Sequence, residues 1–139
     1  MDQMNANVER LKAAYVQWHE TKGGSVDTWL DMMDDEIDFR SLANGAYGAA
    51  WTQEHTSREG VRAYLTGLKA DMEMIHYTVD RLVCQDDCVV MLGSTGWRHR
   101  RNGRVIETPK VDVMHFRGNR IVRFQEFYDT AALAAVFAA

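Results

Sequence analysis

From residue 74 to residue 128 the chain alternates extended stretches with turn residues, and this restricts the fold more than any other feature of its 139 residues. The stretches cover 74–84, 88–100, 104–117 and 120–128, separated by "QDD" (85–87), "NG" (102–103) and "GN" (118–119). Asn-Gly between two strand-like runs supplies the positive φ angles a tight hairpin needs. The back half is therefore expected to fold as an antiparallel meander. Pro109 has no N–H to give a ladder, so a bulge or bend is expected around it.

The front half has a different period. Val8, Leu11, Tyr15 and Trp18 recur at spacings of three and four, predicting a helix over 7–21 that "KGGS" (22–25) ends. Ser25 is placed to cap a second helix with Val26, Trp29, Leu30 and Met33 on its inner face. "EIDFRSL" (36–42) alternates Ile37, Phe39 and Ser41 against Asp38, Arg40 and Leu42, the period of a strand. "ANGAYGAAWTQEH" (43–55) has no period and reads as a loop. Thr56 and Glu59 form a capping-box pattern ahead of a helix carrying Val61, Tyr64, Leu65, Leu68 and Met72. Asp129 can cap a last turn or two over "TAALAAVF".

Helices gathered before a meander predict one α+β domain, residues 1–139, with helices on one sheet face. "CVVMLG" (88–93) is apolar at both parities; 120–128 offers Ile121 and Phe127 on one side, Val122 and Phe124 on the other. A sheet covered on one side only should alternate cleanly. A second copy covering the other face, a homodimer, is therefore expected.

Charge and composition exclude several classes. The net charge of −4 argues against a nucleic acid or an anionic membrane as partner. No apolar run approaches the roughly 20 residues a membrane helix needs, and no basic stretch leads into an apolar one at the N-terminus, so no signal peptide is expected. With only Cys84 and Cys88, a reducing cytoplasm and free thiols are the default expectation. His19, His55, His99 and His115 show no ligand spacing, so no metal is expected. No Gly-rich loop joins a strand to a helix, which argues against a nucleotide cofactor. The expectation is no cofactor at all.

In this order of elements, "ETPKVDVMHFRGNRIVRFQEFYDTAAL" (107–133) and "YVQWHETKGGSVDTWLDMMDDEIDFRS" (15–41) resemble the SnoaL-like branch of the nuclear transport factor 2 / ketosteroid isomerase superfamily. The resemblance implies an NTF2-like (cystatin-like) cone. In it a strongly curved antiparallel sheet wraps around three helices from the N-terminal half and encloses a deep, largely apolar pocket. It also implies dimers through the outer sheet face. Isomerases, cyclases, hydrolases and non-catalytic binders share this fold, so the fold alone assigns no activity.

The resemblance places Asp112 at the oxyanion-side Asp of the isomerases and near the acid/base Asp of SnoaL-type cyclases. Asp112 shares a strand face with Met114 and Phe116. Apolar surroundings raise a carboxyl pKa, and a partly neutral acid can donate to a developing enolate. Alternatively Asp112 points outward and pairs with Lys110 or an arginine. Tyr15 lies near the isomerases' hydrogen-bonding Tyr; the alternative is a core aromatic. Where those enzymes carry their base, this chain has Ser41, with Arg40 or Leu42 one register away. None of these takes a proton from carbon, so steroid isomerisation by that mechanism is not expected.

Glu126 shares parity with Phe124 and Tyr128, the parity the resemblance puts inside the cone. Beside Asp112 it would complete an acid–base pair; otherwise it forms an ion pair with Arg98 or Arg123. Met114, Phe39, Ser41, Trp51 (lid or loop anchor), His76 and Arg98 complete the candidate pocket lining. "WRHRRNGR" (97–104) straddles a hairpin tip and reads as a solvated turn. The expected function is cofactor-independent acid/base chemistry, of isomerase, cyclase/lyase or hydrolase type, on a small hydrophobic carbonyl compound. The alternatives are a non-catalytic ligand-binding module and a dimerisation domain whose pocket is filled by side chains.

Overall fold

The computed structural model describes residues 2–139. Helix α1 (Gln3–Glu20) opens where the Asp2 carboxylate accepts the Asn5 N–H at 3.0 Å, a turn earlier than its apolar period suggests. It ends through Gly23, whose φ of +84° lets its N–H return to the Trp18 carbonyl. Ser25 makes no side-chain cap to α2 (Val26–Met32). The turn is instead held by Thr21, whose Oγ1 accepts the N–H groups of Gly24 and Ser25. Likewise Ser57, not Thr56, caps α3 (Arg58–Asp71), its hydroxyl accepting the Gly60 N–H. At α3 two neighbouring hydroxyls compete for the helix start, and backbone geometry selects Ser57.

Strands β1 (Met33–Ser41), β2 (Met72–Gln85), β3 (Cys88–His99), β4 (Val105–Arg117) and β5 (Arg120–Phe127) form one sheet in the order β1-β5-β4-β3-β2. The last four strands are the antiparallel meander their turns dictate. β1 lies parallel to β5, so the sheet is mixed rather than wholly antiparallel. Its long connection through α3 and the meander allows this, because a parallel pair needs a crossover. A short helix, α4 (Thr130–Phe137), closes the chain, capped by Asp129.

The register slips between Met74 and His76 and between Val79 and Arg81 in β2, and between His115 and Phe116 in β4. Such irregularities bend and twist a sheet. No slip occurs at Pro109, which pairs with Ser94 in an unbroken ladder. Pairing with β5 begins only at Val111, so on that side no ladder needs the missing N–H. The slip near His115 also brings both Ile121 and Phe124 to the buried side, where strict alternation separates them.

β4 shows how the faces divide. Ile106, Thr108, Lys110, Asp112, Met114 and Phe116 are buried. Glu107 and Pro109 are exposed, and Val111, Val113 and His115 are half-buried. The inner face meets the helices through a core that includes Leu11, Ile37, Val61, Met91 and Ile121, each wholly buried.

Candidate functional site

The inner face of β4 carries a lysine and an aspartate two positions apart, side by side on one face because strand side chains alternate. Asp112 is completely buried. Its Oδ2 accepts the hydroxyls of Tyr15 (2.8 Å) on α1 and Tyr77 (2.6 Å) on β2, and its Oδ1 accepts Lys110 Nζ at 2.6 Å. Lys110 Nζ also donates to the Tyr77 hydroxyl at 2.8 Å and lies 2.8 Å from Glu126 Oε2. Glu126 stands directly opposite Asp112 in the β4–β5 ladder, and its Oε1 accepts the Tyr64 hydroxyl of α3. A buried ammonium thus lies between the buried Asp112 and the partly buried Glu126, with tyrosines from two helices and a strand closing the cluster.

The cluster lies at one side of a cavity of about 110 Å³. The remaining wall is mostly apolar: Trp18, Trp29, Phe39, Phe124, Leu65 and Leu133 among others. A cavity of about 150 Å³ holds benzene, so the empty space here suits a compact ligand and is well below the volume a drug-sized molecule fills.

Burial governs the ionisation of the cluster. It pushes the Glu126 carboxyl up to about 7, with the Ser41 hydroxyl acting in the opposite sense; Lys110 Nζ lies 2.8 Å away. Burial lowers Lys110, partly offset by the Asp112 charge. Burial, with the Asp112 charge second, holds Tyr15 and Tyr77 well above the ordinary tyrosine range. Tyr128 is pushed up to about 12, again mainly by burial. Glu126 is the carboxyl of the cluster that burial brings near neutrality.

Asp112, Glu126, Tyr15, Tyr128, Phe124, Phe39 and Trp51 all line this cavity. Asp112 faces inward, not outward, and it is there that it pairs with Lys110. Its three partners all donate, the bonding pattern of an acceptor rather than of an acid offering its proton. Glu126 pairs with Lys110, not with Arg98 or Arg123. Tyr128 shares its hydroxyl with Ser41 Oγ and accepts the Ala43 N–H, so it is engaged with the β1 loop. Trp51 is anchored: its Nε1 donates to Asp71 and its ring packs edge-on to Tyr64.

Four candidates lie off the cavity. Met114 is buried behind the cluster, its sulfur 3.7 Å from the Tyr15 hydroxyl. Ser41 is likewise buried, against Tyr128. His76 sits on the outer face, where its Nε2 meets Glu107 at 2.8 Å, because the slip at Met74/His76 turns Tyr77 inward in its place. Arg98 is about half exposed and pairs with Glu73 on the outer side of β3.

The sequence reading misses Lys110, Tyr77 and Tyr64 as site residues. Lysine is almost never fully buried without a partner, so composition points it outward. The signal that finds it is parity, since Lys110 shares the face of Asp112. Among the described residues no group of three His, Cys, Asp or Glu side chains is arranged to hold a metal ion. No helix among them is long and apolar enough to cross a membrane.

A family model of the SnoaL-like domain matches residues 13–124. No curated protein matches the chain. Solved structures resemble it over nearly its whole length. An NTF2-like protein from Burkholderia thailandensis superposes with a TM-score of 0.82 at 19% identity, covering 100% of both chains. A protein of ketosteroid isomerase-like fold from Catenulispora acidiphila, in complex with trimethylamine, gives 0.74 at 18% identity, covering 92% of this chain and 91% of that one. TerC, co-crystallised with polyporic acid, gives 0.77 at 16% identity, covering 96% and 98%. At these identities the likeness is one of fold.

Proposed function

The chain belongs to the SnoaL-like domain family, and from that premise we propose that it is a cofactor-independent acid/base enzyme acting on a compact hydrophobic carbonyl compound. The observation that carries this reading is Glu126, a largely dehydrated carboxyl on the wall of an apolar cavity, poised near neutrality and held by Lys110 and Tyr64. A general base works best when its pKa lies near the working pH. In the reaction the ionised Glu126 takes a proton from the carbon beside the carbonyl. The C–H electron pair moves into an enolate, and Glu126 returns the proton to the same or a conjugated carbon. Asp112 is a positioning residue: it fixes Lys110, and Lys110 fixes Glu126.

The test is α-hydrogen exchange. Small cyclic ketones are incubated in D2O with the protein and followed by proton NMR. The wild type is expected to exchange them above the buffer rate, rising with pH through about 7. Glu126→Gln should lose about 10²–10⁴-fold. Ketone binding without exchange, or equal exchange by both proteins, overturns the catalytic reading and leaves the non-catalytic binding module. That second reading is supported by the neighbours crystallised with small molecules.

We further propose that two copies pair through the outer sheet face. Half-buried Leu92, Val111, Val113 and Phe127 are neighbours in the β3-β4-β5 ladders there. Charged replacement of Val111 should convert a dimer to a monomer in analytical ultracentrifugation.

A further inference from the structure

Any reaction through an enolate needs a hydrogen-bond donor for the carbonyl oxygen, and the polar cluster has few to offer. Lys110 has three N–H groups and three acceptors close by, in Asp112, Tyr77 and Glu126. The hydroxyls of Tyr15 and Tyr77 are donated to Asp112, and that of Tyr64 to Glu126. Thr95 and Thr108, also in the wall, donate to backbone carbonyls. One buried side-chain donor among the described residues has no acceptor: the indole Nε1 of Trp29.

Trp29 is only 5% exposed and lines the cavity. It borders the cluster, packing edge-on to Tyr15 with ring centroids 4.8 Å apart, and Tyr15 in turn holds Asp112. Trp18 and Phe124 fix its other sides in edge contacts. An orphaned buried N–H is costly and uncommon in native proteins. A ligand acceptor would relieve it.

We propose that Trp29 Nε1 receives the carbonyl oxygen of the ligand and stabilises the negative charge that develops there when Glu126 removes the neighbouring proton. This rests on the carbonyl reading of the cavity and deepens it. The ligand class narrows to compact ketones, lactones or enones whose single carbonyl reaches the indole while the apolar remainder fills the aromatic wall. A ligand of the same shape without the oxygen leaves the N–H unpaired. Sites built to hydrogen-bond an oxygen discriminate strongly against such analogues.

The test compares cyclohexanone with methylenecyclohexane, its isostere without the acceptor, by NMR titration of wild type, Trp29→Phe and Glu126→Gln. The wild type is expected to prefer the ketone by tenfold or more. Trp29→Phe should lose that preference while still binding methylenecyclohexane, and Glu126→Gln should retain it. Preference kept in Trp29→Phe, or absent from the wild type, overturns the assignment. A wild type that binds the ketone at Trp29 without exchanging its α-hydrogens overturns the enzymatic reading alone. Should Trp29→Phe fail to fold, the indole resonances of the wild type decide. Of the four tryptophans, Trp29 is identified by eliminating Trp18, Trp51 and Trp97 with single Phe variants. Its N–H signal should move downfield with cyclohexanone and not with methylenecyclohexane; an unmoved signal overturns the proposal.

Discussion

Two polar groupings on β4 lie only a few residues apart and differ in almost every physical respect. On the outer face Glu107 meets His76, with side chains 60% and 25% exposed. On the inner face Lys110 meets Asp112 and Glu126, with side chains 7%, 1% and 12% exposed. Water screens the outer pair, and such pairs contribute about 0–1 kcal/mol. The inner group has surrendered its hydration, so each charge depends on the others. The same strand carries a screened surface pair on one face and a dehydrated cluster of charges on the other. What distinguishes them is which face of the sheet they occupy.

The comparison breaks most visibly if Lys110 is removed. Lys110→Met leaves two buried carboxylates facing each other, and a loss of about 3–5 kcal/mol is expected in urea unfolding at pH 8. A smaller loss, of the size found at the surface, would mean that solvent reaches the inner cluster.

A second prediction uses pH. The folded pKa of Glu126 is raised, to about 7 from an ordinary 4.5. A raised acid favours the neutral form in the fold, so its stabilising contribution is complete below about 4.5 and disappears as pH climbs through about 7. At about 1.4 kcal/mol per unit this is at most about 3 kcal/mol, and the Lys110 charge reduces it. Thermal unfolding of the wild type should lose stability between pH 5 and pH 8, and Glu126→Gln should flatten that slope.

Two glycines of β3 sharpen the contrast. A Cβ at Gly93, which pairs with Lys110, would lie 2.0 Å from the Thr78 carbonyl oxygen, a backbone atom that cannot swing away. At Gly96 it would meet the Glu107 carboxylate and the His76 ring, which can rotate aside. Gly93→Ala should therefore cost about 2 kcal/mol or more and Gly96→Ala distinctly less, compared by the same denaturant melts. Smallest of all, Glu107→Gln should cost under about 1 kcal/mol, and 1 M salt should abolish even that difference.

Much of the architecture was legible along the chain because it depends on near neighbours. The Asn102–Gly103 turn fixes a hairpin locally. Alternation in 104–117 separates Lys110 and Asp112 from Glu107 and Pro109 with no knowledge of the rest of the fold. The Asp129 cap and the α1 period are local in the same way. The parity of Glu126 also placed it beside Asp112, as the β4–β5 ladder has it.

The same reasoning failed where the answer depends on distant atoms. His76 was a candidate for the pocket, and a register slip set against β3 turned it outward and Tyr77 inward. The helix caps failed for a local reason instead: the Ser25 side chain makes no cap bond to α2, and Ser57 rather than Thr56 caps α3. The amino-acid order by itself determined that Lys110 and Asp112 share one face of β4, since period and parity are properties of neighbours in the chain. Only the tertiary structure decided that this lysine would be enclosed by Asp112, Tyr77 and Glu126, and that Trp29 would bury an N–H with no acceptor. Those outcomes depend on groups tens of residues apart that meet only when sheet and helices close and water is excluded from between them.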